Sequence, residues 1–457
     1  MRILIKNGRI ITSEEDFFGS ILIEDEKILS ITPGNLSNIS SIDKIIDASG
    51  KFLIPGGIDP HVHMHLLTPA GFSSDDFFSG SRAALMGGTT SIIDFVTPQK
   101  GQNLIDALEQ RKKEAENCMT DYSFHVSPIE WRPSLQEEIN TLKNKEGISS
   151  FKVYMAYKKS IGIDDDVLNK VLDIVAKSGG MVTVHSELGD EIDALRSRFV
   201  KEGKTEPEYH PLSRPSKMES EAVKKVISFA KDKKCPLYIV HVSTADAMYH
   251  IKNAREKGQI VYGETCPQYL LLDDRRYQGS FESAVPYIMS PPLRSKKDNM
   301  ELWKGLKAGY LQTTGTDHCP FTMKQKKTGI YDFTKIPNGA GSVEHRLALL
   351  YTYGVLQNKI TLKQWVGLTS TNAAGIFGLP ARKGNLIKGA DADIVIWNPD
   401  KEKVISTKNH YMNCDMDIYE GFRVQGEAET VLLRGNIMVE NGKWSPSLSK
   451  GKFMKRL

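Results

Sequence analysis

Two hydrophobic patterns divide the chain. Through the first fifty residues the apolar positions come in short runs with no helical period. Ile3-Leu4-Ile5 and Arg9-Ile10-Ile11 flank the turn dipeptide Asn7-Gly8, and Ile21-Leu22-Ile23 and Ile28-Leu29-Ser30-Ile31 flank an acidic turn at Asp25 and Glu26. Runs of this kind, bounded by turn residues, predict strands. After Gly50, short runs rich in Val, Ile, Tyr and Phe alternate with longer stretches of helical period, the signature of βα units around a parallel sheet. The runs are Phe52-Leu53-Ile54, Ser91-Ile92-Ile93-Asp94-Phe95, Tyr122-Ser123-Phe124-His125-Val126 and Phe151-Lys152-Val153-Tyr154. They continue as Met181-Val182-Thr183-Val184-His185, Leu237-Tyr238-Ile239-Val240-His241, Ile260-Val261-Tyr262-Gly263 and Leu311-Gln312-Thr313-Thr314-Gly315. Eight such strands close a (β/α)8 TIM barrel, with helices predicted between them over 165–177, 219–231 and 245–257.

From about Gly384 strands return: Asp393-Ile394-Val395-Ile396-Trp397, Glu429-Thr430-Val431-Leu432-Leu433 and Asn436-Ile437-Met438-Val439. The turn at Arg434-Gly435-Asn436 reads like the Asn7-Gly8 one. Two flanking β segments, each too small for its own core, predict one small β-sandwich beside the barrel. The expected fold class is therefore α/β, with 1–53 and 384–457 forming the sandwich and tail and 54–383 the barrel. No solenoid repeat or low-complexity segment is present.

Composition narrows the partners. The 457 residues are 40% hydrophobic and 25% charged with a net charge of +4, and carry no Lys/Arg stripe interleaved with aromatics, which argues against nucleic acid. The basic run Arg111-Lys112-Lys113 is followed by Glu114 and Glu116 and reads as a solvated helix face. Five cysteines (Cys118, Cys235, Cys266, Cys319, Cys414) are scattered without a CxxC pair, so reduced thiols and a cytoplasmic setting are expected. A charge at Arg2 and the lack of any apolar stretch of about 18 residues predict neither a signal peptide nor a membrane span.

The chemistry begins at Gly56-Gly57-Ile58-Asp59-Pro60-His61-Val62-His63, where two histidines sit two apart just after the first predicted barrel strand. Alternate strand residues share a side, so both imidazoles can converge on one ion. His185 ends the fifth strand, His241 the sixth, and Asp317 follows the eighth. All five fall on the C-terminal face, where barrel enzymes build their sites. A lone histidine there is more often structural, but four with an aspartate have no cheap structural explanation. Lys152 sits on the fourth strand among apolar neighbours. One reading is a snorkelling lysine paired with a carboxylate. The other is a carbamate formed with carbon dioxide, an anion able to bridge two metals.

With these residues in view, the chain resembles the dihydropyrimidinases and D-hydantoinases, cyclic amidohydrolases of the amidohydrolase superfamily. The resemblance runs nearly end to end, from Leu4-Ile5-Lys6-Asn7-Gly8 to Gly451-Lys452-Phe453. It rests on Pro55-Gly56-Gly57-Ile58-Asp59 with the HxH, Ser150-Phe151-Lys152-Val153-Tyr154-Met155 and Tyr238-Ile239-Val240-His241-Val242-Ser243. Further matches are Glu264-Thr265-Cys266-Pro267-Gln268-Tyr269-Leu270, Ser290-Pro291-Pro292-Leu293-Arg294, Thr316-Asp317-His318-Cys319 and Pro337-Asn338-Gly339. The resemblance implies two Zn2+ per subunit: His61, His63 and Asp317 on one, His185 and His241 on the other, bridged by carboxylated Lys152. It implies that a metal-bridging hydroxide attacks the ring, that Asp317 moves the proton and that Tyr157 bonds the substrate oxygen. It also implies that backbone groups at Ser290 and Asn338 hold the cyclic amide, and that the subunits form a homotetramer or homodimer. Without it, Tyr157 reads as an ordinary loop aromatic and Ser290 as a turn residue.

Alternatives remain at this point. Dihydroorotases resemble the chain less, because they place an Arg two residues after the second His, where this chain has His65. Allantoinase fits the Lys152 and Ser290 segments less well, and the non-catalytic relatives of dihydropyrimidinase lack metal ligands that this chain keeps. Gly87-Gly88-Thr89-Thr90 lacks the Lys-Ser/Thr of a phosphate loop. Cys266 and Cys319 read as packed residues, Asp59 and Glu264 as partners of the histidines. Leu66, Leu67, Phe72, Tyr154 and Ile161 are expected to line an apolar substrate pocket, with His65 in it or on its rim.

Overall fold

The structure, a computed structural model, describes residues 1–34, 41–445 and 449–456. Its centre is an eight-stranded parallel sheet in sequential order: Gly57–Val62, Thr89–Val96, Asp121–Val126, Ser150–Tyr154, Met181–His185, Leu237–Ile239, Val261–Thr265 and Thr313–Thr314. The first four strands are buried along their whole length, as expected of a parallel sheet covered on both faces. The sheet closes because the first strand meets the segment after the eighth. Asp317 N–H donates to the His61 carbonyl (2.9 Å) and His63 N–H to the His318 carbonyl (2.8 Å). This is the barrel that the periodicity predicts, and the helices Asp165–Ser178, Ser216–Lys233 and Ala245–Glu256 lie within a few residues of their expected bounds.

One strand of the count is wrong. Phe52–Pro55 pairs with Ile394–Trp397 and with Arg9-Ile10, so it belongs to the flanking sheet. The first barrel strand is Gly57–Val62, which holds His61 within it. Its Gly, Asp and Pro hide it from an apolar-run count, and its pairing with the second strand shifts register after Asp59. Gly56 beside it has no room for a side chain, since a Cβ would lie 2.1 Å from Thr90 Oγ1.

The flanking module is one mixed nine-stranded sheet built from both ends of the chain, its apolar residues enclosing a core that includes Ile3, Ile21, Leu53, Ile394 and Leu432. Asn7-Gly8 is no hairpin turn. A single strand, Arg2–Ile11, runs through it with a bulge between Ile5 and Gly8, where Asn7 takes a φ of 62°. Gly8 is required there because a Cβ would sit 2.5 Å from Leu53 Cγ. Arg434-Gly435, by contrast, does turn the chain, between the antiparallel strands Arg423–Leu433 and Asn436–Glu440.

Buried charge joins the module to the barrel. Lys383 is 1% exposed and its ammonium contacts Asp121 (2.6 Å), Asp393 (2.7 Å) and Asp391 (3.0 Å), while Arg434 holds the other oxygen of Asp121. The C-terminal segment then closes the floor. Met454 N–H donates to the Tyr122 carbonyl (2.7 Å), and the buried Arg456 guanidinium bonds Ser123 Oγ (2.9 Å), Ser150 Oγ (2.7 Å) and the Phe124 carbonyl. Asp121 keeps Arg434 and Asp391 keeps Lys27 and Arg382, but replacing Lys383 leaves buried Asp393 with no ion pair among the described residues, so Lys383→Met is expected to lower unfolding stability by about 3–5 kcal/mol in urea titration. A change within the error of the titration contradicts the keystone role.

Candidate metal centre

Each residue singled out at the C-terminal rim is delivered by a barrel strand or the turn after it. His61 lies in the first strand and His63 just beyond it, Lys152 is in the fourth, and His185 ends the fifth. His241 follows the sixth by two residues and Asp317 the eighth by three. His65 (φ 49°), Tyr157 (60°), His241 (41°) and Asp317 (53°) all hold a left-handed backbone, a conformation that side chains with a Cβ disfavour. Its recurrence at this one rim fits a site held by the surrounding structure.

The rim brings the expected ligands together. Ligand atoms of His61, His241 and Asp317 lie within 4.8 Å of one another. Asp317 Oδ1 stands 3.1 Å from His61 Nε2 and 3.2 Å from His63 Nε2. His241 Nε2 faces His185 Nδ1 at 2.9 Å. Carboxylates behind the rings set their tautomers. Glu264 Oε1 accepts from His61 Nδ1 (2.7 Å), which turns the Nε2 lone pair inward, and Glu187 Oε2 accepts from His185 Nε2 (2.8 Å), which turns Nδ1 inward. His61 Nε2 is buried and makes no well-formed hydrogen bond, the condition of a nitrogen arranged for a metal.

Burial and carboxylates act in opposite directions on these rings, and burial prevails at His63, His185 and His241, whose pKa values it lowers. Burial pushes the His61 pKa down, but the Glu264 and Asp317 carboxylates outweigh it and hold it up at about 9. Burial raises the Asp317 carboxyl, and the His61, His63 and His241 rings overcome that and hold it well below the usual range. Lys152 is 1% exposed, with its Nζ 4.8 Å from the Phe95 ring centroid and 5.2 Å from that of Tyr154. It forms no carboxylate ion pair among the described residues, which removes the snorkelling reading. Burial pushes its pKa down to about 7 against the pull of Asp317 and Glu264, so near neutral pH much of it is free amine, the form that adds to carbon dioxide.

Of the groups expected to meet a substrate, Tyr157 and Tyr154 lie against the ligands. The Tyr157 ring lies 5.1 Å from His185, with the Arg214 guanidinium 5.3 Å over its face. Ser290 Oγ is buried beside the Tyr157 hydroxyl, and Asn338 Oδ1 is buried with no well-formed hydrogen bond. Leu67 and Phe72 are exposed on a small hairpin, His65 stacks on Phe72 at 3.9 Å, and Leu66 and Ile161 are half-buried. Tyr154 is buried against Lys152. Cys266 and Cys319 are buried, with thiols raised by burial, as packed residues should be. Asp59 accepts from Thr316 Oγ1 (2.6 Å) and from His61 N–H (3.2 Å), a partner of the ligand strands as its position predicts.

Three contributors escape a sequence reading. Phe95 stacks on His63 at 4.6 Å. Glu187 orients His185 and is itself paired with Arg214. His318 accepts from Ser342 N–H at Nδ1 (3.1 Å) and donates from Nε2 to Asp75 (3.0 Å). Only Glu187 leaves a signal, an acid two residues after a rim histidine.

Residues 52–445 match the model of the amidohydrolase family. A D-hydantoinase of Geobacillus stearothermophilus is 42% identical over 455 residues, 99% of this chain and 96% of that protein. The chain belongs to the amidohydrolase family, in its dihydropyrimidinase and D-hydantoinase group. A dihydropyrimidinase of Arabidopsis thaliana is 39% identical over 457 residues, covering 99% of this chain and 85% of the relative. The crystal structure of a dihydropyrimidinase from Brevibacillus agri superposes with a TM-score of 0.97 at 42% identity, covering 100% and 99% of the two chains. The full-length match accounts for both the barrel and the flanking sheet.

Glu264→Gln removes the charge behind His61 while keeping its shape. Affinity for a divalent metal is expected to fall about 10–100-fold in a chelator competition, with the far-UV circular dichroism unchanged. Undiminished affinity contradicts the orienting role.

Proposed function

We propose that this hydrolase of cyclic amides opens dihydropyrimidines or 5-substituted hydantoins to N-carbamoyl amino acids, using two zinc ions at the barrel rim. The observation that carries the reading is the convergence of four imidazoles and Asp317 near buried Lys152, with Asp317 Oδ1 within 3.2 Å of both His61 and His63 and His241 Nε2 2.9 Å from His185 Nδ1. His61, His63 and Asp317 would hold one ion and His185 and His241 the other, with Lys152 as a carbamate between them. Bound zinc lowers the pKa of water into the neutral range and polarises a carbonyl.

The chain's own groups supply the rest. Asp317, held ionised by its imidazole neighbours, accepts a proton from the attacking water and delivers it to the ring nitrogen as the C–N bond breaks. Tyr157, kept protonated because burial raises its pKa, donates its hydroxyl to the carbonyl oxygen as charge builds there. Ser290 and Asn338 hold the ring amide. The new C–O bond gives the carboxyl group, and the freed nitrogen stays attached as the carbamoyl amine. His65, stacked on Phe72, occupies the position at which a dihydroorotase keeps an arginine, so the fixed guanidinium that grips a carboxylate is missing.

The test is Asp317→Asn. Its expected result is a protein that keeps most of its zinc and loses at least about 10²-fold in kcat on dihydrouracil and substituted hydantoins. Near-normal turnover contradicts the proton-transfer role, and a wild-type enzyme inactive on every cyclic ureide contradicts the substrate class.

A further inference from the structure

Lys326 has no part in the chemistry above, yet it is 1% exposed. Burying an ammonium is costly unless every donor is used. All three are, which favours the charged form against the burial that pushes its pKa down to about 7: Nζ donates to the carbonyls of Ile288 (2.8 Å), Pro337 (2.8 Å) and Gly339 (2.9 Å). Ile288 precedes Met289-Ser290, and Pro337 and Gly339 bracket Asn338. The three acceptors therefore belong to the two loops that carry Ser290 and Asn338.

Neighbouring bonds converge on the same loops. Gly339 N–H donates to the Ile288 carbonyl (3.0 Å) and Cys319 N–H to the Ala340 carbonyl (2.9 Å), while His210 Nε2 meets the Met289 carbonyl at 2.8 Å. Gly339 has a φ of 143° and a Cβ there would stand 2.3 Å from the Cys319 carbonyl, so this loop lies hard against the segment that starts at Asp317. Fixing these carbonyls on one ammonium also fixes the adjoining peptide groups of Ser290 and Asn338. A neutral side chain of this length offers no third donor, and an apolar one offers none.

We propose that Lys326 is a positioning residue for ring opening: its ammonium locks together the two loops whose Ser290 and Asn338 groups grip the cyclic amide. The inference rests on the substrate reading above and assigns Lys326 to substrate binding, not to the metal or the proton transfer.

The experiment compares zinc-loaded full-length wild type with Lys326→Met, which keeps the aliphatic stem and removes the donors. The readouts are KM and kcat on dihydrouracil, zinc per chain, and amide hydrogen exchange of 287–294 and 336–342. The expected result is a KM raised roughly tenfold or more, a kcat that changes far less, unchanged zinc, and faster exchange in both segments. Lys326→Gln, which keeps two donors, should fall between, and it replaces the Met form if that form does not fold. Wild-type KM with wild-type exchange overturns the proposal, as does a loss confined to kcat and zinc. If wild type opens no cyclic ureide the substrate reading fails, and the exchange comparison then decides the clamp by itself.

Discussion

The two hydrogen bonds that close the barrel are the constraint on which the rest depends. Asp317 N–H to the His61 carbonyl and His63 N–H to the His318 carbonyl set the register between the first strand and the segment after the eighth. Because side chains alternate along a strand, a slip of one residue would turn the histidines away from the aspartate. In the register observed, Asp317 stands within 3.2 Å of both His61 and His63. Strand closure is thus also the assembly step of the site.

Burial then converts proximity into chemistry. Glu264 lies on the seventh strand with no exposed surface, bonded by Tyr238 Oη at 2.8 Å as well as by His61. A side chain on Gly315 would come within 2.6 Å of its carboxylate, so that glycine is the condition for its approach. The same low-dielectric interior that strengthens Glu264 against His61 holds Lys152 near neutrality and keeps the Tyr157 proton in place. On the proposed reading this one environment would supply a base, a donor and an amine able to add carbon dioxide, the first set by its imidazole neighbours and the other two chiefly by burial.

Much of this was legible in the amino-acid order, and the failures share a cause. Apolar runs revealed most barrel strands because buried parallel strands need continuous hydrophobicity, and rim histidines stood out because they end those runs. The strand carrying His61 did not, since Gly57, Asp59 and Pro60 interrupt it, and the apolar run beside it, Phe52-Leu53-Ile54, belongs to the flanking sheet. Asn7-Gly8 has the composition of a hairpin turn, but Leu53 packing against Gly8 makes it a bulge instead. The floor formed by Arg456, the Glu187–Arg214 pair behind His185 and the Lys326 bonds all join residues distant in sequence. Such pairings follow from closure of the barrel and have no local pattern to betray them.

The central claim is that this rim holds two zinc ions with carboxylated Lys152 between them. A crystal structure of the zinc-loaded protein, with anomalous data collected at the zinc edge, tests it most directly. The account predicts two anomalous peaks, one against His61, His63 and Asp317 and one against His185 and His241, with carbamate density on Lys152 Nζ touching both. A single peak, or an unmodified Lys152 beside two, would contradict it.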